Sequence, residues 1–165
     1  MEILKQEKCP VRIIEHCKAV AWLSRKIARR LKEQGANVDL RLVEVGALLH
    51  DIGRSKTHGV EHGIVGAKIL RKRGVDERVI KIVEKHVGSG ISKKEAKNAG
   101  LPEKDYIPES VEEKIVCYAD CLIDETEGIS FEEALERFEE WYEKGIINKD
   151  ALKRLKKLRS RLNYP

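Results

Sequence analysis

Five histidines, His16, His50, His58, His62 and His86, fall in the first two-thirds of a 165-residue chain. Imidazole nitrogen is the commonest protein ligand for transition metals, and aspartate adds a charged oxygen. One histidine on an apolar helix face is usually a satisfied core residue, so the argument rests on the set. His50 is followed directly by Asp51. Adjacent helical residues point about 100° apart, but near a helix end both can reach one ion from two sides. His16 and Asp120 can complete a first shell, because both occupy inward-looking helical positions. Asp120 lies on an apolar stripe between Val116 and Ile123. Burying a carboxylate there is costly without a partner, and Arg12, a helix cap or a metal can each serve.

The elements that must carry these residues read as helices. Ile13, Cys17, Val20, Ile27 and Leu31 recur at the spacing of one helix face between Pro10 and Gln34, with Gly35 as the stop. Asp39 caps a second helix through Leu42, Val45 and Leu49, ending at Gly53. A third runs from about Val60 to Arg73, and Asp76 caps a fourth with Val79, Val83 and His86 on one face. Ser92, Ser110 and Ser130 each stand three residues before a glutamate, the spacing of a reciprocal capping box. Residues 101–109 carry two prolines and read as a loop. A last helix starts near Asn148 and uses Leu152, Leu155, Leu158 and Leu162. No strand pattern competes, so the expected fold class is all-α, a single-domain helical bundle.

Composition agrees with one compact domain. Apolar residues make up 41% and charged residues 37%, against about 25% charged in ordinary soluble proteins. The surplus of Lys, Arg and Glu fits a thermophilic surface of charge networks. A net charge of +5 favours anionic partners such as nucleotides, phosphoesters or nucleic acid. No long apolar run suggests a membrane span, and the N-terminus lacks the apolar core of a signal peptide, so a cytoplasmic location is expected. Cys9, Cys17, Cys117 and Cys121 form no C-x-x-C pair and read as buried thiols. Trp22 and Trp141 read as packing residues.

The order His16, His50-Asp51, Asp120 resembles the HD superfamily of metal-dependent phosphohydrolases, in the variant whose motif is His50-Asp51-Ile52-Gly53. The resemblance covers residues 10–126 as the HD domain; residues 127–165 are read as C-terminal helices packing on the same domain. His62-Gly63-Ile64-Val65-Gly66-Ala67 and Glu84-Lys85-His86 resemble the extra ligands of two-metal members, such as bacterial diadenosine tetraphosphate hydrolases. An archaeal-type protein of this variant is what the resemblance implies. It also implies that His16, His50, Asp51, His62, His86 and Asp120 bind metal, with Asp51 bridging two ions. His58 is an added histidine, and residues 89–109 form a longer, more charged loop than the resemblance leads one to expect. The dinucleotide substrate is therefore not carried over.

A divalent metal lowers the pKa of its bound water and so makes a hydroxide nucleophile. Four imidazoles and two carboxylates favour one or two ions of Fe, Mn, Ni, Co or Zn over Mg. The reading is metal-dependent hydrolysis of a phosphomonoester or phosphodiester in a small, nucleotide-like substrate. Asp51 is central to catalysis. Arg54 and Lys56 are candidates to clamp phosphate oxygens, as is Lys85 with less support. His58 is a candidate proton donor, substrate contact or replaceable ligand. Two alternatives stay open: a two-iron oxygenase on the same fold, and a non-catalytic nucleotide or RNA sensor. The basic helix from Asp150 to Arg161 makes nucleic acid a possible but less favoured partner.

Overall fold

The computed structural model describes residues 2–164; Met1, the first residue of the segment read above for a signal peptide, lies outside them, as does Pro165. Helix α1 (Glu2–Gln6) precedes a long α2 (Val11–Glu33), α3 (Leu40–Leu49), a 3-10 turn over Ile52–Ser55, α4 (His62–Lys72) and α5 (Glu77–Lys85). Then come α6 (Lys93–Asn98), α7 (Val111–Cys121), α8 (Phe131–Glu143) and α9 (Lys149–Leu162). The fold is all-α apart from a two-residue hairpin, β1 (Ile123–Asp124) paired antiparallel with β2 (Glu127–Gly128). That hairpin was not expected from the sequence, because two-residue strands are too short to show a period of two.

Local chemistry sets most of the helix ends. The Asp39 carboxylate accepts from the Leu42 amide at 3.0 Å, and the Asp76 carboxylate accepts from the Arg78 amide at 2.8 Å. Ser92–Glu95 and Ser130–Glu133 form complete capping boxes. The third expected box is only half made. Ser110 caps the Glu113 amide, but the Glu113 carboxylate turns to Lys85 Nζ at 3.1 Å and to the Glu109 amide at 2.7 Å. A buried lysine outcompetes the local cap there. Helix α3 ends at Leu49, earlier than Gly53, because the chain tightens at Asp51 into the 3-10 turn.

Helices α2, α3, α5 and α7 pack around fully buried Val20, Ile27, Val43, Ile115 and Val116. Helices α8 and α9 join the same apolar cluster through Phe138, Leu155, Leu158 and Leu162. Trp141 is half-buried against Phe138, with 5.0 Å between ring centroids. Trp22 corrects the packing expectation. It is 62% exposed on the outer face of α2, with Lys26 Nζ 4.4 Å from the centroid of its ring. All four cysteines are buried free thiols, and those of Cys117 and Cys121 both donate to the Gly88 carbonyl, at 3.3 and 3.1 Å. No described helix is long and apolar enough to cross a membrane.

One close approach bears directly on the site. A Cβ on Gly53 would lie 1.9 Å from the His62 carbonyl oxygen and 2.8 Å from the Gly66 amide nitrogen. Only glycine lets the 3-10 turn lie so tightly on α4. This contact brings the segment after His50-Asp51 against the first turn of the helix that begins with His62.

Candidate metal centre

Three of the histidines sit at helix ends and fold back in the same way. His50 ends α3, His62 begins α4 and His86 ends α5. Each ring donates Nδ1–H to the carbonyl three residues earlier: His50 to Ala47, His62 to Gly59 and His86 to Val83, all at 2.7 Å. His16 lies inside α2, where the preceding carbonyls are engaged in the helix. Its Nδ1 donates instead to the Glu125 carbonyl at 2.7 Å, at the turn of the β1–β2 hairpin. Glu125 takes the left-handed conformation, φ 48°, at that turn. A carbonyl can only accept, so all four rings carry hydrogen on Nδ1 and turn Nε2 inward. This outer-shell arrangement orients imidazoles that bind metal.

The inward atoms converge. Asp120 Oδ1 lies 3.0 Å from His16 Nε2 and 3.3 Å from His50 Nε2. Asp51 Oδ1 lies 3.2 Å from His62 Nε2 and 3.5 Å from His86 Nε2. Three overlapping trios have ligand atoms within 4.8 Å of one another: His16 with His50 and Asp51, His50 with His86 and Asp120, and Asp51 with His62 and His86. The structure thus brings together all six residues expected as ligands. His50 is fully buried, and apart from the 3.3 Å approach of Asp120 its Nε2 has no hydrogen-bond partner among the described residues. The Nε2 atoms of His62 and His86 face each other at 3.0 Å. Asp51 Oδ1 lies within 3.5 Å of both, so three potential ligand atoms converge on one point. The donor set therefore fits one or two divalent transition ions.

Charge states follow from the packing. Burial and the neighbouring His86 push the His62 pKa down to about 4, so its ring is neutral near pH 7. Burial opposes ionisation of Asp51, but His86 and His50 outweigh it and hold the carboxyl below the usual range. For Asp120 burial is likewise outweighed, by His50 and His16, and its pKa lies well below the usual value. Burial opposes charging of His50, yet Cys17 and Asp120 hold its pKa well above the ordinary value. Two ionised carboxylates and inward imidazoles make a site that attracts cations.

The other expected residues separate. Arg54 lines the cleft beside the cluster. Its Nε lies 3.2 Å from both Asp51 oxygens, and Nη1 donates to the His58 carbonyl at 2.9 Å. Its visible work is to hold Asp51. His58 is exposed and also lines the cleft. Lys56 corrects the phosphate-clamp expectation: it is not among the cleft residues, and its Nζ pairs with Glu7 at 3.3 Å. Lys85 is also spent elsewhere, 2.5 Å from Glu109 and 3.1 Å from Glu113. The cleft encloses about 670 Å³ and runs from Asp120 and His62 to the turn between α8 and α9. Its far wall, including Arg137 and Trp141, was not singled out as functional from the sequence.

A family profile described as the HD domain matches residues 13–123. The chain belongs to the HD domain family. It is 45% identical to an uncharacterised protein of Methanocaldococcus jannaschii, over 99% of this chain and 94% of that protein. It is 44% identical to a tRNA (cytidine(56)-2'-O)-methyltransferase of Picrophilus torridus, over 98% of this chain but 44% of that enzyme. The chain thus spans less than half of that methyltransferase. Among solved structures, the HD domain of the L. monocytogenes phosphodiesterase PgpH, in complex with cyclic-di-AMP, superposes with a TM-score of 0.57. That match has 20% identity and covers 99% of this chain and 97% of the other. At this identity it speaks for the fold, which the two chains share.

Proposed function

We propose that the protein is a metal-dependent phosphohydrolase acting on a phosphomonoester or phosphodiester of a nucleotide-like substrate. One observation carries the reading. Four imidazoles pinned at Nδ1 turn Nε2 toward two ionised aspartates, and the Nε2 atoms of His62 and His86 meet at 3.0 Å with Asp51 Oδ1 within 3.5 Å of both. His16, His50, Asp51, His62, His86 and Asp120 would hold one or two divalent transition ions, with Asp51 between the two histidine pairs. Such ions supply Lewis-acid activation of water and of a phosphoryl oxygen. Arg54 keeps the Asp51 carboxylate in place and adds positive charge for the phosphate. His58, on the cleft wall, supplies a proton to the leaving oxygen. Family membership supports the phosphohydrolase class, and the PgpH domain binds a cyclic dinucleotide in its own structure.

A second reading, that the phosphoester lies in RNA, has its own support. Relatives of this chain carry the names tRNA methyltransferase and, over shorter stretches, ribonuclease Y. Among the described residues, Lys156, Lys157 and Arg161 on α9 form no ion pair. The two readings share one test. Metal-reconstituted protein is assayed on a panel of mononucleotides, dinucleotides, short RNA and bis(p-nitrophenyl) phosphate. Hydrolysis that disappears in Asp51→Ala, together with lost metal, supports the proposal. Absence of cleavage across the panel with every candidate metal sinks it.

A further inference from the structure

The cleft of about 670 Å³ is larger than a phosphoryl group requires; pockets of about 300–1,000 Å³ commonly hold whole small-molecule ligands. Its lining includes Arg54, His62 and Asp120 at the histidine–aspartate cluster, and Asn98, Arg137 and Trp141 on the wall built by α6 and α8. Helices α8 and α9 begin after residue 123, where the match to the family profile stops. The far wall is therefore supplied partly by segments beyond that match.

That wall offers planar surfaces and open hydrogen-bonding groups. Trp141 is half-buried, and the Arg137 guanidinium carbon lies 5.4 Å from its ring centroid. Arg137 ties that wall to the cluster: Nη2 donates to the carbonyl of Cys121, the residue after Asp120, at 2.6 Å, and Nη1 pairs with Asp124 at 3.4 Å. Its buried Nε–H has no acceptor among the described residues. Asn98, the last residue of α6, is exposed and its side chain makes no hydrogen bond among the described residues. Ile146, 65% exposed, adds an apolar lip. Nucleobases stack on indole and guanidinium planes, and an amide side chain can read a base edge.

Resting on the phosphoester reading, we infer that the far end of the cleft is a nucleobase subsite. The base stacks on Trp141 and Arg137, its edge meets Asn98, and the phosphoester lies at the histidine–aspartate cluster. The substrate class is then a nucleoside phosphate or nucleotide ester, not a sugar, lipid or peptide phosphate. Trp141 and Asn98 determine specificity rather than chemistry.

The chain's two tryptophans allow a test that needs no turnover. Trp22→Phe leaves Trp141 as the sole indole reporter. Chelator-treated Trp22→Phe protein, with parental circular dichroism, is titrated with AMP, GMP, CMP and UMP. A saturable change in Trp141 emission is expected with nucleotides and none with ribose 5-phosphate or inorganic phosphate. Adding Asn98→Ala or Arg137→Gln is expected to raise the half-saturating concentration about tenfold. No emission change with any nucleotide overturns the subsite, and so does an equal change with ribose 5-phosphate. If metal-loaded parent cleaves bis(p-nitrophenyl) phosphate while nucleotides leave Trp141 unmoved, the subsite falls and the hydrolase reading stands. If nucleotides move Trp141 but no phosphoester is cleaved, the hydrolase reading falls and the subsite stands.

Discussion

Gly53→Ala adds one methyl group at the contact that aligns the His50-Asp51 segment with α4. The new Cβ would meet the His62 carbonyl oxygen at 1.9 Å and the Gly66 nitrogen at 2.8 Å. Relaxed carbon–oxygen contacts are roughly 3.3 Å or longer, so the 3-10 turn and α4 must part by more than about 1 Å. Both obstacles are backbone and cannot rotate away. Overpacking of this kind costs about 1–3 kcal/mol, and this site falls at the upper end. For a chain of 165 residues, about 3 kcal/mol lowers Tm by roughly 6–12 °C. The same displacement shifts His62 against Asp51, now 3.2 Å apart. A misplacement of about 1 Å can reduce a rate about 100-fold. Calorimetry of the metal-free protein reads the first effect, and phosphoester hydrolysis after metal reconstitution reads the second. Gly128→Ala is the control, since nothing lies within 4 Å of its Cβ, and its stability change should stay within about 0.5 kcal/mol. Parental Tm and activity in Gly53→Ala would refute the close-approach reasoning.

Arg54 and Lys56 should separate cleanly. Arg54→Gln releases the Asp51 carboxylate and is expected to lower metal affinity or hydrolysis about 10- to 100-fold, whereas Lys56→Gln, half exposed and paired with Glu7, should leave hydrolysis unchanged and cost less than about 1 kcal/mol. Denaturant melts and steady-state rates of both variants check this. Glu95→Gln breaks the mostly buried pair with Arg154 at 2.7 Å and should cost about 3 kcal/mol near pH 7. Burial raises the Glu95 pKa, but Arg154 and Ser92 outweigh it and set it below the ordinary 4.5. Its contribution is thus present above that ordinary value and lost as pH falls through the lower folded value. The stability gap between parent and variant should close in acid, and a gap that stays constant down the acid limb would contradict the assignment.

The helices and the six converging residues were readable because their signals are local or lie in residue type and order. Asp39, Asp76, Ser92 and Asn148 cap where their side chains imply. The hidden features depend on tertiary contacts. The Glu125 carbonyl that orients His16 lies 109 residues away along the chain. Glu113 forgoes its cap for Lys85, which no pattern within one helix encodes. Lys56 follows Arg54 by two residues, yet the 3-10 turn sends it toward Glu7 on a different side. Trp22 stands outside because α2 already fills its inner face with Val20, Ile27 and Leu31. The far wall of the cleft joins α6 to the α8–α9 turn, and only the folded chain shows that they meet.

Metal content and turnover measured on one preparation test the central claim most directly. Protein purified without oxygen is analysed for iron, manganese, nickel, cobalt and zinc, then assayed for phosphoester hydrolysis with the metal found. The account predicts one or two equivalents of a transition metal per chain, hydrolysis that scales with occupancy, and loss of both in Asp51→Ala. Full hydrolysis by chelator-stripped protein, or unaltered metal content and rate in Asp51→Ala, would contradict it.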